Sequence, residues 1–427
     1  MTIMELFSGI GSQAKALQNL GINIEVIGTC EWDIHALIAY DAIHNSTELL
    51  PEVATMSKEE VLKELKKYKL SNDGKEPMEY KVLKTYSLEV LQRTLTAIKR
   101  CKNYVDISSL KGKDIPYRTT IDMLTYSFPC QDLSNVGAFH GYNKGIDKDS
   151  GSRSSLLWQV GRILKEMKES NRSMPRYLLM ENVPALLAQR HITNFNRWIG
   201  DLDELGYISR YYELNAHDFG LPQNRPRLLM ISVFAGKNQT RRNKLNRYFG
   251  SVNNKSIVRD FRESKYYRNL AMGDLLRLDY SNEILLAEAR ECNPNDTDSR
   301  RKIWDENPQL VLKGNIINHN YDMIRTITTK QDRNPNSGNL YFDRGEEGKS
   351  LFRYLTPREC LLFMGFSDQD YENLICNNPE IHKGSVLFPR DKIIRLAGNS
   401  IPVKLLEGIF FQIKQIEEQV IKQNGHT

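Results

Sequence analysis

The sequence contains few cysteines and no long apolar run. Its six cysteines show no C-x-x-C spacing and no adjacent histidine cluster, which argues against a disulfide framework and a structural zinc site. This cysteine usage fits a reducing cytoplasm. No apolar run reaches the roughly 18 residues that a membrane helix needs, so no membrane association is expected. A strand-and-glycine pattern begins at Met1, which leaves no room for a signal peptide.

The positive charge is concentrated in one segment. The 427 residues carry a formal net charge of +6, but ten Lys and Arg lie between Lys237 and Leu270 against only Asp260 and Glu263. Tyrosine and phenylalanine are interleaved with these cations, a pattern that suits a phosphate backbone and its bases. The same pattern is also typical of a solvated basic surface.

Apolar strands alternate with helices over the first part of the chain. The predicted strands are Thr2–Phe7, Ile24–Cys30, Met123–Ser127, Tyr177–Met180 and Leu228–Val233. Continuous apolar strands between helices indicate an α/β fold with a mostly parallel sheet that is covered on both faces.

The length predicts two to three domains. Residues 1–234 form the expected first domain, with a Lys/Glu-rich insertion at about 45–103 in which Leu88, Leu91, Leu95 and Ile98 have helical spacing. From 235 to 347 the periodicity fades, which predicts a second, smaller and irregular domain. Residues 348–427 return to the first domain and end in a helix whose apolar face includes Val403, Leu406, Phe410, Ile413 and Val420.

Two predicted strands end at groups that could react. Pro129 and Cys130 follow the strand at Met123, and strand ends face the ligand cleft in α/β folds. Cys130 is therefore either a nucleophile or a small apolar core residue. Glu181 and Asn182 follow the strand at Tyr177; a shielded carboxylate there would have a raised pKa and could hold a proton, or it could be an ordinary helix-start acid.

Other segments have the composition of a binding site. Ser8-Gly9-Ile10-Gly11 follows the first strand, but the third glycine of the dinucleotide fingerprint is missing, which disfavours NAD. Glu31 ends the second strand, where an acid often binds a ribose hydroxyl, and Trp32 could stack on an adenine. Alternation on an extended segment would direct Gln223, Arg225 and Arg227 to one face. Gly398-Asn399-Ser400 reads as the N-cap turn of the last helix.

Taken together, these segments resemble the cytosine-5 DNA methyltransferases. The family's motifs occur here in order, and they cover nearly the whole chain outside the insertion and the middle domain. The matching segments are Phe7-Ser8-Gly9-Ile10-Gly11, Glu31-Trp32, Asp106-Ile107, Pro129-Cys130-Gln131, Glu181-Asn182-Val183, Gln223-x-Arg225-x-Arg227, Leu355–Cys360 with Met364–Phe366, and Gly398-Asn399-Ser400. The stretch Ser150–Trp158 further resembles bacterial members.

The resemblance implies a Rossmann-like, S-adenosylmethionine-dependent catalytic domain with a smaller target-recognition domain. It assigns catalysis to Cys130, Glu181, Arg225 and Arg227. It assigns cofactor contacts to Phe7, Ser8, Gly9, Ile10, Gly11, Glu31, Trp32, Asp106, Ile107, Pro129, Asn399 and Ser400. It assigns DNA contacts to Gln131, Ser134, Arg153, Gln223, Thr326 and Thr328.

The implied reaction is covalent. The Cys130 thiolate would attack C6 of a cytosine that has been flipped out of duplex DNA, and this attack makes C5 nucleophilic. Glu181 would hold N3 and the exocyclic amine, Arg227 would contact the base carbonyl, and Arg225 would support the loop. The product is S-adenosylhomocysteine, and no metal is required. The resemblance further implies a cytoplasmic bacterial monomer, which could be paired with a restriction endonuclease.

Two alternatives within this fold remain open. One is a tRNA cytosine-5 methyltransferase, although the Cys-Phe-Thr signature of that subfamily is absent. The other is an inactive DNA-binding relative, which predicts a lost Cys or Glu, yet both are present. An amino-methyltransferase is disfavoured because no Asp/Ser-Pro-Pro-Tyr/Phe loop occurs.

Overall fold

The protein forms two compact units in a computed structural model. The structure describes residues 1–115, 119–129, 146, 153–306, 309–312, 316–317, 323–331, 338–376 and 378–422. The first unit comprises Met1–Leu214, Pro226–Tyr266 and Leu406–Thr427, and the second comprises Asn215–Arg225 and Tyr267–Leu405.

The strands are β1 (Thr2–Leu6), β2 (Glu25–Cys30), β3 (Met123–Tyr126), β4 (Tyr177–Asn182), β5 (Tyr207–Asn215), β6 (Gln223–Asn224), β7 (Pro226–Phe234), β8 (Gln309–Leu312), β9 (Ile316–Ile317), β10 (Ile324–Arg325), β11 (Asn339–Tyr341), β12 (Phe352–Arg353), β13 (Glu380–His382) and β14 (Ser385–Val386). The helices are α1 (Ser12–Asn19), α2 (Ile34–His44), α3 (Pro51–Ala54), α4 (Lys58–Leu65), α5 (Tyr80–Leu83), α6 (Leu88–Arg100), α7 (Leu157–Glu169), α8 (Gln189–Glu204), α9 (Gln239–Ser251), α10 (Asn254–Arg262), α11 (Met272–Leu275), α12 (Glu283–Glu291), α13 (Asp298–Glu306), α14 (Pro357–Leu362), α15 (Asp368–Ile375), α16 (Arg390–Asn399) and α17 (Val403–Ile416).

A six-stranded sheet is the centre of the first unit. Its strand order is β2-β1-β3-β4-β7-β5. Neighbouring strands from β2 to β4 are parallel, whereas β7 is antiparallel to β4. Every residue of β3 and β4 is buried, as expected for strands that are covered on both faces. The predicted mostly parallel α/β sheet is therefore confirmed.

The edge strand β5 runs in the same direction as β4. Hydrogen bonds join Ala235 to Gly206 and, further along, Ser209 to Ser232, so residue numbers rise in β5 while they fall in β7. β5 is thus antiparallel to β7 and parallel to β4. Its C-terminal end lies at the same edge of the sheet as Glu181.

The amphipathic helix that was predicted in the insertion is present as α6. Ser87 caps its first turn by accepting a hydrogen bond from the Val90 N–H, and Val90, Leu91, Leu95 and Ile98 are buried. The insertion also forms the short helices α3, α4 and α5. A capping box at Ser57 and Glu60 fixes the start of α4.

The chain after Ala235 is more regular than its sequence indicates. α9 and α10 lie at the start of the segment in which periodicity fades, and both belong to the first unit. Each helix buries only two side chains: Leu245 and Phe249 in α9, and Ile257 and Phe261 in α10. Two apolar residues per helix do not produce a recognisable helical periodicity in a Lys/Arg-rich sequence, so neither helix was predicted.

The second unit is built from small sheets and short helices. Its four-stranded sheet has the order β12-β11-β8-β9, and β6 pairs with β10. A fully buried ion pair joins Arg353 of β12 to Glu359 of α14 at 2.7 Å. In both units, none of the helices in the described part of the chain is long and apolar enough to cross a membrane.

Candidate active site

The loop after β1 has the backbone conformation of a ligand-binding turn. Phe7, Gly9 and Gly11 all have positive φ, at 57°, 54° and 79°. A Cβ on Gly9 would meet nothing within 4 Å, whereas one on Gly11 would lie 2.2 Å from Nε2 of His44. Gly9 thus keeps an open side toward the space above the loop, and Gly11 lets the loop pack closely against α2.

Glu31, at the end of β2, is hydrogen-bonded to the backbone of this loop. Its carboxylate accepts a hydrogen bond from the Gly9 N–H at 3.0 Å, and its other oxygen accepts bonds from the N–H groups of Trp32 and Asp33 at 2.9 Å. Burial, and then the nearby Asp33, raise the pKa of Glu31 to about 7. The predicted ribose-binding acid and the predicted glycine loop are therefore in direct contact.

A second acid lies beneath the same loop. Glu5 is fully buried in β1, accepts a hydrogen bond from the Ala14 N–H at 3.2 Å and a short one from the Tyr40 hydroxyl. Burial raises the pKa of Glu5 to about 7, although both hydrogen bonds lower it. His44 contacts the Ile10 carbonyl at 2.9 Å. Glu5, Tyr40 and His44 were not identified from the sequence, because nothing in the first strand distinguishes a buried acid from a surface one.

The Asp106 segment lies next to Glu31 and Trp32. The Asn103 side chain accepts hydrogen bonds from the N–H groups of both Glu31 and Val105, at 3.2 and 2.6 Å, and so ties this segment to the end of β2. Ile107 is buried. Lys69 of the insertion lies 3.5 Å from the Asp106 carboxylate and 5.9 Å from the centre of the Trp32 ring. Lys69 was not identified as a candidate site residue from the sequence, because the insertion is rich in Lys and Glu throughout.

The chain that leads to Cys130 is held at two consecutive carbonyls. Asn182 donates its side-chain amide to the Phe128 oxygen at 3.1 Å, and Ser154 donates its hydroxyl to the Pro129 oxygen at 2.6 Å. Cys130, Gln131 and Ser134 lie outside the described residues. Arg153 begins the turn that contains Ser154, and its side chain is also outside the description.

Glu181 forms an ion pair with Arg227. Glu181 Oε1 lies 2.9 Å from Nε of Arg227, and each side chain is 12% exposed. The antiparallel pairing of β4 with β7 creates this contact, because Glu181 lies opposite Leu229 and Arg227 is two residues away on the same face. Glu181 belongs to β4 itself, so the predicted strand end at Met180 is two residues too short.

In the second unit, Arg225 joins two of the predicted motifs. Its guanidinium donates to the carbonyls of Ile327, Gly398 and Ser400 at 2.7, 2.7 and 2.8 Å, and the side chain is fully buried. Gly398 lies so close to Thr328 that a Cβ there would come within 2.6 Å of the Thr328 backbone. Arg225 therefore fixes the Thr326–Thr328 element against the Gly398–Ser400 turn.

Gln223 has a related position. It is fully buried, donates to the Phe363 carbonyl at 2.8 Å and accepts from the Ile327 N–H at 3.1 Å. Gln223 and Arg225 thus both contact Ile327, whereas Arg227 pairs with Glu181. The common direction expected for all three side chains stays a prediction. Gln223 as a DNA contact stays a prediction, and its burial among backbone groups does not support it.

The hydroxyls of Thr326 and Thr328 both donate to backbone carbonyls, those of Asn224 and Lys330, at 2.7 Å. The Gly398–Ser400 turn does not open the last helix as predicted. Asn399 ends α16, Ser400 follows it as the C-cap, and α17 begins at Val403. The Ser400 hydroxyl donates to the Leu396 carbonyl, and Asn399 is exposed.

Comparison with known proteins agrees with these features. The family model for C-5 cytosine-specific DNA methylases matches residues 82–415. The chain belongs to the C-5 cytosine-specific DNA methylases. A type II methyltransferase of Lactococcus lactis subsp. cremoris, M2.ScrFI, is 31% identical over 422 residues, with 97% of this chain and 99% of that protein covered. The orphan methyltransferase M.SssI of Spiroplasma monobiae is 30% identical, with 97% of both chains covered.

Solved structures show the same fold. S. pombe Dnmt2 methyltransferase superposes with a TM-score of 0.57 over 99% of both chains at 16% identity, and the Entamoeba histolytica methyltransferase EhMeth with a TM-score of 0.53 at 13% identity over 97% of this chain and 98% of that one. The protein is therefore a DNA (cytosine-5)-methyltransferase with the S-adenosylmethionine-dependent methyltransferase fold, as the sequence predicts. Among the described residues, no group of three or more His, Cys, Asp or Glu could hold a metal ion.

Proposed function

We propose that Cys130 is the nucleophile of this methyltransferase and that Glu181 and Arg227 hold the target cytosine. The observation that carries the proposal is the Glu181–Arg227 pair on β4 and β7, next to the Asn182 amide that holds the Phe128 carbonyl two residues before Cys130. β3, which leads to Cys130, and β4, which carries Glu181, are hydrogen-bonded neighbours. Parallel neighbouring strands bring their C-terminal ends to one edge of the sheet.

Covalent attack by Cys130 accounts for the electron movements. The Cys130 thiolate forms a bond to C6 of the flipped cytosine, and the C5–C6 π electrons make C5 nucleophilic. Glu181 holds N3 and the exocyclic amine, so charge that develops on the ring is stabilised. Once C5 is methylated, a base removes its proton, the C5–C6 double bond re-forms and the Cys130 thiolate leaves. Flipping costs a few kcal/mol.

The first unit has a suitable site for S-adenosylmethionine. The open backbone at Gly9 can approach the ligand, the Glu31 carboxylate can accept from ribose hydroxyls, and the partly exposed Trp32 ring offers an apolar face for adenine. We assign Ser8, Ile10, Asp106 and Ile107 to the same site, with Phe7, Gly11 and Pro129. Asn399 and Ser400, in the second unit, are assigned to the cofactor from the family resemblance alone. When bound, S-adenosylmethionine supplies a methyl group activated by its sulfonium.

The proposal also assigns catalysis and target recognition to different segments of the chain. We assign catalysis to residues 1–234 and 348–427 and target recognition to residues 235–347, with Thr326 and Thr328 near the flipped base. Gln131, Ser134 and Arg153 contact DNA. The enzyme acts on double-stranded DNA as a monomer in the bacterial cytoplasm, in a restriction–modification setting with a cognate endonuclease.

A trapping experiment tests the covalent step. Wild-type protein should form a denaturation-resistant complex with duplex DNA that contains 5-fluorocytosine at its target site, because fluorine at C5 cannot leave as a proton does. Cys130→Ser should form no such complex and transfer no methyl group, yet bind the same DNA. Active Cys130→Ser protein, or tritium transfer to tRNA in preference to duplex DNA, would contradict the proposal.

A further inference from the structure

Helices α9 and α10 pack against the part of α17 that belongs to the first unit. Ile257 and Phe261 of α10 are buried, and Phe261 packs edge-on against Phe411 of α17, with ring centres 6.0 Å apart. The Tyr248 hydroxyl of α9 accepts a hydrogen bond from the Gln412 amide of α17 at 2.5 Å. These contacts fix which side of α10 faces solvent.

The solvent side of α10 is a stripe of cations. Lys255, Arg259 and Arg262 occupy positions i, i+4 and i+7, so they lie within about 60° of one another around the helix axis and opposite Ile257 and Phe261. All three are exposed. They extend over roughly 10 Å of helix, since seven residues rise about 1.5 Å each.

Acidic neighbours compensate this stripe only in part. Asp260 lies on the flank of α10 and pairs with Arg259 at 2.8 Å. The Arg259 side chain remains 65% exposed in that pair, and exposed pairs of this kind contribute little. Glu263 follows the last turn. The three cations outnumber Asp260 and Glu263, so the stripe keeps a net positive charge that an anionic partner can neutralise.

A hydrogen bond connects α10, which carries the stripe, to the strand β5. The side chain of Asn254, in the first turn of α10, donates to the Glu213 carbonyl of β5 at 2.8 Å. Glu213 lies near the C-terminal end of β5, which is at the same sheet edge as Glu181. Only β7 separates β5 from β4, so Glu213 lies about 10 Å from β4 along this edge of the sheet.

We infer that Lys255, Arg259 and Arg262 form a phosphate-binding stripe, by which the first unit holds the DNA backbone beside the target base. The inference rests on the DNA-methylating function. Within the segment 235–347 that is assigned to target recognition, it names three contacts that lie on the first unit. Helical cations on a rigid scaffold neutralise phosphates regardless of sequence, so the stripe contributes affinity and not site preference. A duplex is the partner that fits, because it is the substrate that must reach this edge.

The test is the salt dependence of DNA binding. The slope of log K against log salt concentration is negative, and each phosphate contact contributes about −0.9 to it. The triple variant Lys255→Gln/Arg259→Gln/Arg262→Gln should therefore make this slope shallower by about 2 to 3. The affinities for target-containing and unrelated duplexes should fall by a similar factor, about tenfold or more near 0.1 M salt.

Two matched variants control for charge and folding. Lys63→Gln/Lys66→Gln/Lys67→Gln removes three exposed cations from the insertion and should leave the slope unchanged. Lys255→Arg/Arg259→Lys/Arg262→Lys keeps the charges and should retain the wild-type slope. An unchanged slope in the Gln variant of α10, or an equal loss in the insertion variant, would overturn the inference. Absence of methyl transfer by the wild-type protein would instead contradict the function on which it rests.

Discussion

The hydroxyl of Ser154 donates a hydrogen bond to the Pro129 carbonyl at 2.6 Å, directly before Cys130 in the chain. Ser154 is fully buried, so no water competes for this bond. With the Asn182 bond to the preceding carbonyl, it fixes the direction in which the chain leaves β3. The chain that leads to the proposed nucleophile is therefore held by two side chains, Ser154 and Asn182.

Removing the Ser154 hydroxyl should slow methyl transfer. Ser154→Ala leaves the Pro129 carbonyl without this donor, which should cost about 1 kcal/mol in stability and lower kcat by roughly tenfold or more through misplacement of Cys130. The KM for S-adenosylmethionine should change little. Ser154→Thr keeps the hydroxyl and should restore most of the rate. If kcat is the same in the Ala variant as in the wild type, Ser154 is not a positioning residue.

Loss of the Glu181 carboxylate should affect the rate and not the binding of the cofactor product. Glu181→Ala should lower kcat by about 100-fold or more, because a group that holds the ring in the transition state is lost. The affinity for S-adenosylhomocysteine, measured by calorimetry, should stay within about threefold. The control is Glu25→Ala, which removes an exposed acid at the far end of β2. A comparable loss of affinity and rate would indicate that Glu181 acts on the fold.

Arg225 should be intolerant of a charge-conserving replacement. A lysine ammonium is a point charge and cannot reproduce the planar fork that reaches the carbonyls of Ile327, Gly398 and Ser400. Arg225→Lys should therefore lower the free energy of unfolding by about 2 kcal/mol or more. Arg325→Lys, at an exposed position in β10, should have little effect. Equal stability of the two variants would show that the three carbonyl contacts contribute nothing.

The buried Glu5 should make stability depend on pH. Its pKa in the folded protein is about 7, above the usual 4.5, so the folded state holds the extra proton between these values. The contribution is complete below pH 4.5 and is lost as the pH rises through 7. Glu5→Gln should therefore gain stability relative to wild type over this interval, by an amount on the order of 3 kcal/mol. Chemical denaturation at pH 5 and pH 8 measures the difference, and Glu25→Gln should show none.

Local sequence patterns located five of the six strands of the central sheet, all but β5, and the order of the motifs. Apolar runs located β1 to β4 and β7 to within a few residues, because a strand buried on both faces needs a continuous apolar sequence. Sequence reasoning predicted a glycine loop and an acid at two strand ends, and the structure shows that Gly9 and Glu31 are in contact. Helices α9 and α10 were not predicted, since their buried faces consist of two residues each.

The sequence by itself determined the α/β class, the family and the residue types available at each strand end, because these depend on short segments read in order. Only the tertiary structure decided which groups meet. Arg225 binds carbonyls 102 and 173 residues further along the chain, and Arg227 meets Glu181 because β7 runs antiparallel to β4. Such contacts depend on how distant segments pack, and no local pattern of side chains encodes the partner of a buried guanidinium or the face of α10 that remains in solvent.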